Sequence, residues 1–334
     1  MDTLVRPALR VRGLSVSFEL SGVDVPAVRH VDLDVPRGEL VALLGESGSG
    51  KSVTARAVMG LTGSGATVRA DEITLGETDL RTASARTMRG LRGTRMSLVL
   101  QDALSALNPV LSIGDQLGEL FRIHQGASKR VARAKAADLL GLVGIPDPKR
   151  RVGDYPHQFS GGMRQRILIA MAIALEPELL IADEPTTALD VTVQAQILDL
   201  LASLRSQLDM GVLLITHDLA VVSEVADRLA VMYAGRIVET GDADTVLSRP
   251  SHPYTEALLR SVPRIEHHGG DLFTIPGAPP NPARVPSGCP FHPRCHRVVE
   301  ECSSVRPELA PAGPHSGRSV ACHQSEVMLR DSVS

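Results

Sequence analysis

Residues Gly45–Ser52 read GESGSGKS, which matches the phosphate-binding pattern G-x-x-x-x-G-K-S. The glycines at 45, 48 and 50 have no Cβ atom, so the backbone there can wrap closely around a phosphate. Lys51 adds a positive charge for the β- and γ-phosphates, and Ser52 offers a hydroxyl to Mg²⁺. An apolar run that reads as a buried strand precedes this P-loop, and a helical stretch follows it. The sequence therefore predicts a nucleotide-phosphate site.

A second anion site is predicted far along the chain, at Ser160-Gly161-Gly162. These residues stand directly before a strongly helical run, and the backbone amides of such a helix start face an anion. A single chain with two phosphate-binding helix starts needs an explanation, which the motifs taken one by one do not supply.

Two acids and a histidine follow predicted strands. The apolar run 178–184 ends in Asp183 and Glu184, a Walker B pattern. Asp183 is placed to hold Mg²⁺, and Glu184 to orient and deprotonate a water for attack on the γ-phosphate. His217 follows the next strand, 211–216, where it could reach a γ-phosphate or be an ordinary surface residue.

These motifs are carried by alternating strands and helices, which is the pattern of an α/β protein. We predict edge strands at 9–20 and 27–35, a strand at 96–101 that ends in Gln101, and helices at 127–143 and 191–208. Phe18 lies in the first strand, and its spacing alone favours a core aromatic over a ring stacked on adenine.

Composition narrows the class of protein. The chain has 334 residues, 43% of them hydrophobic, and a net charge of −3, which gives no indication of a nucleic-acid partner. No secretory signal is visible, and the longest apolar run, 167–175, is too short to span a membrane. We expect a soluble cytoplasmic protein. The character of the chain changes near residue 245, and seven prolines fall between 276 and 293, so we predict domains 1–245 and 246–334.

The chain has four cysteines: Cys289, Cys295, Cys302 and Cys322. In a cytoplasmic chain their clustering favours metal over disulfides, although the spacing is not that of a zinc ribbon. Three alternatives stay open: a [4Fe–4S] cluster, zinc, or free buried thiols. For zinc, a histidine could substitute for a thiolate, and the candidates are His292, His296, His315 and His323.

The segments GESGSGKS, LQD, FSGGMRQR, LLIADEPTTALD and ITHDL, in this order, resemble the ATP-binding subunit of an ABC transporter. SRPSHPYTEALL and GCPFHPRC are similar to the tail of the oligopeptide/dipeptide importer subfamily. The resemblance implies an ABC-type P-loop ATPase domain with a mixed sheet core, an antiparallel β subdomain and a helical signature subdomain. A small Pro/Cys-rich C-terminal domain would follow.

The resemblance also implies roles for individual residues. Lys51, Gln101, Glu184 and His217 would be catalytic, and Ser52, Gln101 and Asp183 would hold Mg²⁺. Phe18 would stack on adenine, and Asp190 would be the D-loop acid. The ATP-binding set is Phe18, Gly45, Glu46, Ser47, Gly48, Ser49, Gly50, Lys51, Ser52, Ser160, Gly161, Gly162, Gln165 and Asp190. Ala103 departs from the proline that many relatives carry there. Some relatives hold an iron–sulfur cluster at the cysteine segment, which favours [4Fe–4S] over zinc.

The function implied is ATP hydrolysis coupled to uptake of di- or oligopeptides at the cytoplasmic face of the cell membrane. The implied partners are two transmembrane permease subunits, an extracytoplasmic solute-binding protein and a second ATPase subunit, in a heterodimer. Because the signature of one such subunit caps ATP on the P-loop of the other, both phosphate sites are explained. Import of nickel or another small solute is the alternative. A non-transport ABC ATPase acting on DNA or ribosomes is disfavoured, since neither a coiled-coil insertion nor a second cassette is present.

Overall fold

A computed structural model describes residues 6–20, 22–101, 106–187, 189–262, 273–313 and 317–331. The chain divides into two compact units. The first comprises the residues up to Ala8, Val35–Glu39 and Leu75–Leu214, and the second comprises Leu9–Asp34, Leu40–Thr74 and the chain from Ile215 onward. The predicted departure at Ala103 and the zinc candidate His315 lie outside the described residues.

The strands are numbered in chain order. They are β1 (Leu9–Leu20), β2 (Val23–Val35), β3 (Leu40–Leu44), β4 (Ala66–Arg69), β5 (Glu72–Leu75), β6 (Thr78–Asp79), β7 (Met96–Val99), β8 (Leu179–Asp183), β9 (Gly211–Thr216), β10 (Arg228–Tyr233), β11 (Arg236–Asp242), β12 (Ala310–Pro311) and β13 (Ser319–Val320).

The helices are numbered in the same way. They are α1 (Lys51–Val58), α2 (Ala85–Leu91), α3 (Ile113–Gln125), α4 (Lys129–Leu142), α5 (Pro148–Arg151), α6 (Gly161–Ile173), α7 (Val191–Leu208), α8 (Leu219–Val225), α9 (Ala243–Ser248), α10 (Pro253–Ser261) and α11 (Ser325–Asp331). Within the described residues, no helix is both long and apolar enough to cross a membrane.

One sheet of the second unit contains β2, β1 and β5 in that order, and β4 also pairs with β1, antiparallel to it. The β1–β4 register places Phe18 opposite Ala66. The prediction of β1 as an edge strand is therefore wrong. Its alternating pattern reflects burial of one face, on which Leu14 and Val16 lie, and alternation of this kind says nothing about whether both edges of a strand are paired.

The second unit also holds a sheet with the order β12-β13-β11-β10-β3. β10 runs parallel to β3 and antiparallel to β11, to which it is joined by a hairpin at Gly235. All five residues of β3 are buried, so this strand carries the P-loop out of the interior of the unit. The core around it combines apolar residues of β3, β10 and α10 with Phe291 and Cys302 of the C-terminal region.

In the first unit β7 and β8 pair in parallel, with Met96 opposite Leu179, and β9 lies on the other side of β8. Every residue of β8 and β9 is buried, as expected for strands covered on both faces. The helices α3, α4 and α6 each begin at a serine whose hydroxyl accepts a hydrogen bond from a first-turn N–H: Ser112, Ser128 and Ser160. The predicted strands and helices of this unit are present, with ends that differ by a few residues.

Candidate active site

The P-loop lies between β3 and α1 in a conformation that two glycines permit. A Cβ atom at position 45 would lie 2.2 Å from the backbone oxygen of Met232, and one at position 50 would lie 2.6 Å from that of Ala27. Gly50 has φ +110° and precedes α1, and it provides no side-chain cap for the helix. The first-turn N–H groups of α1 lie at the positive end of the helix dipole, which favours an anion.

Lys51 is folded over its own loop. Its side chain is 5% exposed, and Nζ donates to the carbonyl oxygens of Gly45 at 2.7 Å and Glu46 at 3.0 Å. Beside it, the hydroxyl of Ser49 is buried without a hydrogen-bond partner. A buried unpaired hydroxyl is costly, and a phosphate oxygen would satisfy it. Ser47 and Gly48 are exposed at the rim of the loop.

The acids that follow β8 differ in their surroundings. Asp183 ends the strand and is 7% exposed, whereas Glu184 is half-buried and adopts φ +49°. A left-handed backbone is unusual for a residue other than glycine, and such strain is found preferentially at functional sites. Glu184 Oε2 accepts hydrogen bonds from Gln101 Nε2 at 3.1 Å and Thr187 Oγ1 at 3.0 Å. The structure thus brings two of the predicted residues together, and it adds Thr187.

Thr187 was missed by the sequence argument, although it belongs to the quoted segment TTALD. A threonine four residues after a strand end has many ordinary explanations, and Thr187 meets Glu184 across a turn in which Glu184 has a left-handed backbone. Only the position of Thr187 within the TTALD segment could have pointed to it, because a threonine alone is not distinctive.

The signature segment (Ser160–Gln165) forms the start of α6. Ser160 Oγ accepts from the Met163 N–H at 3.3 Å, and both Ser160 and Gly161 are exposed. A Cβ atom on Gly162 would lie 2.4 Å from Val193 Cγ1, so the starts of α6 and α7 approach closely here. Gln165 is only 3% exposed, unlike the residues that begin the helix.

Asp190 belongs to the same neighbourhood, since it caps α7 and its Oδ1 accepts from the Val193 N–H at 3.0 Å. Asp190, the predicted D-loop acid, therefore caps the same helix whose Val193 side chain limits the space at Gly162. This places the signature segment and Asp190 at adjacent helix starts within the first unit.

Phe18 and His217 lie in the second unit, as the P-loop does. Phe18 is half-buried on β1, and its backbone pairs with that of Ala66. His217 is exposed between Thr216, which ends β9, and Asp218, whose N–H donates to Thr216 Oγ1 at 2.9 Å. Asp218 in turn caps α8 by accepting from the Ala220 N–H. This turn holds the backbone on both sides of His217.

Glu46 of the P-loop contacts two residues that the sequence argument did not connect with it. Its carboxylate accepts two hydrogen bonds from Arg294, and its N–H donates to the Tyr254 hydroxyl at 2.8 Å. Arg294 lies 248 positions further along the chain. No spacing rule links such distant positions, so only the fold could reveal the contact.

The four cysteines lie in the second unit and interact with one another. Burial, together with the neighbouring thiols, raises the pKa of Cys289 to about 11 and that of Cys322 to about 12. The Cys289 N–H donates to the Cys302 carbonyl oxygen at 2.9 Å. Even so, the described residues contain no group of three or more His, Cys, Asp or Glu side chains arranged to hold a metal ion. The predicted [4Fe–4S] cluster and the zinc alternative are not supported by this arrangement.

Comparison with known proteins agrees with these motifs. Residues 28–187 match the family model described as ABC transporter, and residues 238–302 match the model of the oligopeptide/dipeptide transporter C-terminal region. The chain is 51% identical over 300 residues to the dipeptide transport ATP-binding protein DppD of Bacillus subtilis (strain 168), covering 90% of each chain. It is 46% identical over 315 residues to DppD of Escherichia coli (strain K12), covering 94% of this chain and 96% of the relative.

Among solved structures, the fold is similar to a dimeric ATP-binding cassette in a post-hydrolysis state bound to ADP and Pi. The TM-score is 0.62 at 25% sequence identity, with 70% of this chain and 98% of the other covered. The chain therefore belongs to the ATP-binding subunits of ABC transporters, and within them to the oligopeptide/dipeptide importer subfamily. It is an ABC-type ATPase with the mixed α/β fold predicted from its motifs.

Proposed function

We propose that this protein hydrolyses ATP to drive the uptake of di- and oligopeptides, as the ATP-binding subunit of an ABC importer. The observation that carries the proposal is the 51% identity to a dipeptide transport ATP-binding protein across 90% of both chains. The match of residues 238–302 to the C-terminal region of oligopeptide/dipeptide transporters supports it independently of the ATPase motifs.

In this proposal the P-loop binds the phosphates of ATP. The amides at the start of α1 and the buried hydroxyl of Ser49 receive phosphate oxygens. Lys51 exchanges its contacts with two loop carbonyls for the β- and γ-phosphates. Since Lys51 is already positioned by those carbonyls, little side-chain entropy is lost when the nucleotide arrives.

Glu184 acts as the general base. Its carboxylate, which the strained backbone and the Gln101 and Thr187 hydrogen bonds hold in one orientation, takes the proton of the attacking water. His217 and Lys51 stabilise the charge that develops on the γ-phosphoryl group. Ser52, Gln101 and Asp183 would hold Mg²⁺, which neutralises charge on the phosphate oxygens when it is bound.

The signature segment serves a different nucleotide. Ser160 and Gly161 are exposed, so a second ATPase subunit can present its bound ATP to them. We propose that the Ser160–Gly162 amides and Gln165 complete that partner's site, with Asp190 beside them. Phe18 stacks on adenine in the protein's own site. A related, non-identical ATPase is the preferred partner.

The remaining partners follow from the importer function. Two transmembrane permease subunits hold the ATPase at the cytoplasmic face of the membrane, and a solute-binding protein delivers the peptide from the other side. The ATP-binding domain extends to about residue 245, and the C-terminal domain covers 246–334. No part of the proposal involves nucleic acid.

The four cysteines are proposed as ligands of a [4Fe–4S] cluster, with zinc as the alternative. What supports this is that the four thiols lie close enough for their charges to interact. As thiolates they would repel one another, and a bound metal cation would offset that repulsion. A cluster would cross-link a Pro-rich segment that has little core of its own. Iron, sulfide and zinc should be measured in protein purified without oxygen, with Cys302→Ser as the control. Four titratable free thiols and no metal would contradict both forms of the proposal.

The cargo is tested by uptake. Cells carrying the wild type or Glu184→Gln are given a labelled dipeptide, a longer peptide and Ni²⁺ in parallel. Loss of peptide uptake alone supports the proposal, and the relative losses separate dipeptide from oligopeptide transport. Loss of Ni²⁺ uptake alone keeps the transporter and replaces its cargo. Persistence of all three in a strain without other peptide importers would contradict a function in uptake of any of these solutes.

A further inference from the structure

A two-point ion pair joins the P-loop to the C-terminal region within the second unit. Arg294 Nη1 donates to Glu46 Oε2 at 2.7 Å, and Nη2 donates to Oε1 at 2.9 Å. The Arg294 side chain is 6% exposed and that of Glu46 is 23% exposed, so water screens the pair poorly. Parallel hydrogen bonds between a guanidinium and a carboxylate are strong and fix the geometry of both groups.

Arg294 is itself held in place. Its Nε donates to the Pro276 carbonyl oxygen at 2.8 Å, and Nη1 also lies 3.3 Å from the Tyr233 hydroxyl. The guanidinium carbon lies 5.9 Å from the ring centroids of both Tyr233 and Phe291. The Glu46 carboxylate raises the pKa of Arg294 above its ordinary value, so the side chain is cationic at every pH at which the protein is folded.

The aromatic rings beneath the P-loop fix the backbone of Glu46 as well. The chain has three tyrosines, five phenylalanines and no tryptophan, yet Tyr233, Tyr254 and Phe291 meet here with ring centroids 4.6 to 5.3 Å apart. The Tyr254 hydroxyl accepts from the Glu46 N–H. Burial raises the pKa of Tyr254, so its hydroxyl stays neutral. Both the amide and the carboxylate of Glu46 are thus anchored by residues from β10 onward.

The negative charge of Glu46 lies in the loop that would receive the phosphates of the nucleotide. The Glu46 carbonyl oxygen accepts from Lys51 Nζ at 3.0 Å, so the residue lines the loop that receives the phosphates. A carboxylate at that place repels an anionic nucleotide unless a cation compensates it. Arg294 supplies the cation from the side of the C-terminal region, which leaves Lys51 available for the phosphates.

We infer that Arg294 is a positioning residue for nucleotide binding: it neutralises Glu46 and fixes the P-loop, and it makes the C-terminal region a determinant of nucleotide affinity. The inference rests on the proposed function of the P-loop. Wild-type protein that binds no nucleotide would contradict that function, whereas wild-type binding with no effect of Arg294 contradicts only the inference.

The test is a double-mutant cycle with ADP, which avoids hydrolysis. The affinity of the purified full chain for ADP with Mg²⁺ is measured by calorimetry in the wild type, Arg294→Ala, Glu46→Gln and the double variant. We expect Arg294→Ala to weaken ADP binding about tenfold, because it leaves the Glu46 charge uncompensated. Glu46→Gln should restore most of that loss in the double variant, since the repelling charge is gone.

Two results would overturn the inference. One is an Arg294→Ala variant that binds ADP as the wild type does. The other is a double variant that binds no better than Arg294→Ala, which would mean that the arginine only stabilises the fold. Should Arg294→Ala fail to fold, Arg294→Lys takes its place in the cycle. It keeps a cation near Glu46 but loses the two-point contact, so the expected loss is about threefold and is again reversed by Glu46→Gln.

Discussion

The P-loop and the signature segment are both helix starts suited to bind an anion. They differ in how many side chains of this chain surround the anion site. At the P-loop, Gly50 leaves α1 without a side-chain cap, Lys51 is buried, and Arg294 and Tyr254 hold the loop from outside. At the signature segment, Ser160 caps its own helix and is exposed together with Gly161.

The difference indicates that the two helix starts serve different nucleotides. The P-loop contains a buried Ser49 hydroxyl that a phosphate oxygen would satisfy, and Lys51 is buried beside it, so the chain itself supplies groups that favour binding of ATP there. The signature segment has no such demand, because Ser160 already satisfies one of its amides. It can therefore stay exposed to water until a second subunit brings a nucleotide to it.

The largest expected effect is on the chemical step. Glu184→Gln should lower ATP hydrolysis by about a thousandfold, since an amide cannot take the proton of the attacking water. Affinity for ATP should be retained. Phosphate release and equilibrium binding measure the two quantities, and Glu224→Gln, an exposed glutamate on α8, is the matched control. If the Glu184→Gln variant kept its steady-state hydrolysis, Glu184 could not be the general base.

The next effect tests the rigidity of the P-loop. Gly50→Ala should weaken ADP binding about thirtyfold, because its Cβ would meet the Ala27 carbonyl oxygen and the loop would have to move. Gly63→Ala is the control, since Gly63 also has a positive φ but has no atom near its Cβ position. Equal losses in both variants would point to backbone strain alone and not to the close approach at the P-loop.

A smaller effect is expected at the signature segment. Gly162→Ala should reduce hydrolysis about tenfold in the assembled transporter, because its Cβ would meet Val193 and displace the start of α6. ADP affinity of the isolated chain should not change. Adding Val193→Ala makes room for the new methyl group and should recover hydrolysis. A loss of ADP affinity in Gly162→Ala would contradict the proposal that the signature segment does not serve the nucleotide on the chain's own P-loop.

The last effect concerns stability and its dependence on pH, not nucleotide binding or hydrolysis. His252 directly precedes α10 and caps it, since its Nδ1 accepts from the Tyr254 N–H, and burial lowers the pKa of His252 to about 3. Between that value and the ordinary pKa of about 6.5, the unfolded chain binds a proton that the folded chain does not. The free energy of unfolding therefore falls as pH falls through this window, by up to about 1.4 kcal/mol per pH unit from this group.

Chemical denaturation at a series of pH values measures this slope. His252→Asn keeps a capping oxygen but cannot titrate, so its slope between pH 6.5 and 4 should be shallower by about one proton. An unchanged slope would mean that another group governs the acid sensitivity of the helix that carries Tyr254.

The sequence predicted the elements that carry the chemistry, because each motif is local. The P-loop, the acids after β8 and Ser160 at the start of α6 are each specified by a few adjacent residues. Contacts between distant residues could not be predicted in this way. Arg294 reaches Glu46 because the C-terminal region packs against β10 and α10, and the pairing of β1 on both edges cannot be read from its alternation.

The most direct test of the comparison is ADP binding by the isolated chain in two variants measured side by side. Lys51→Ala should weaken binding about thirtyfold, because a charge-assisted contact with the phosphates is lost. Ser160→Ala should bind ADP as the wild type does, because its segment serves the nucleotide of another subunit. Equal weakening in both variants would contradict the account, since it would mean that one chain uses both helix starts for the same nucleotide.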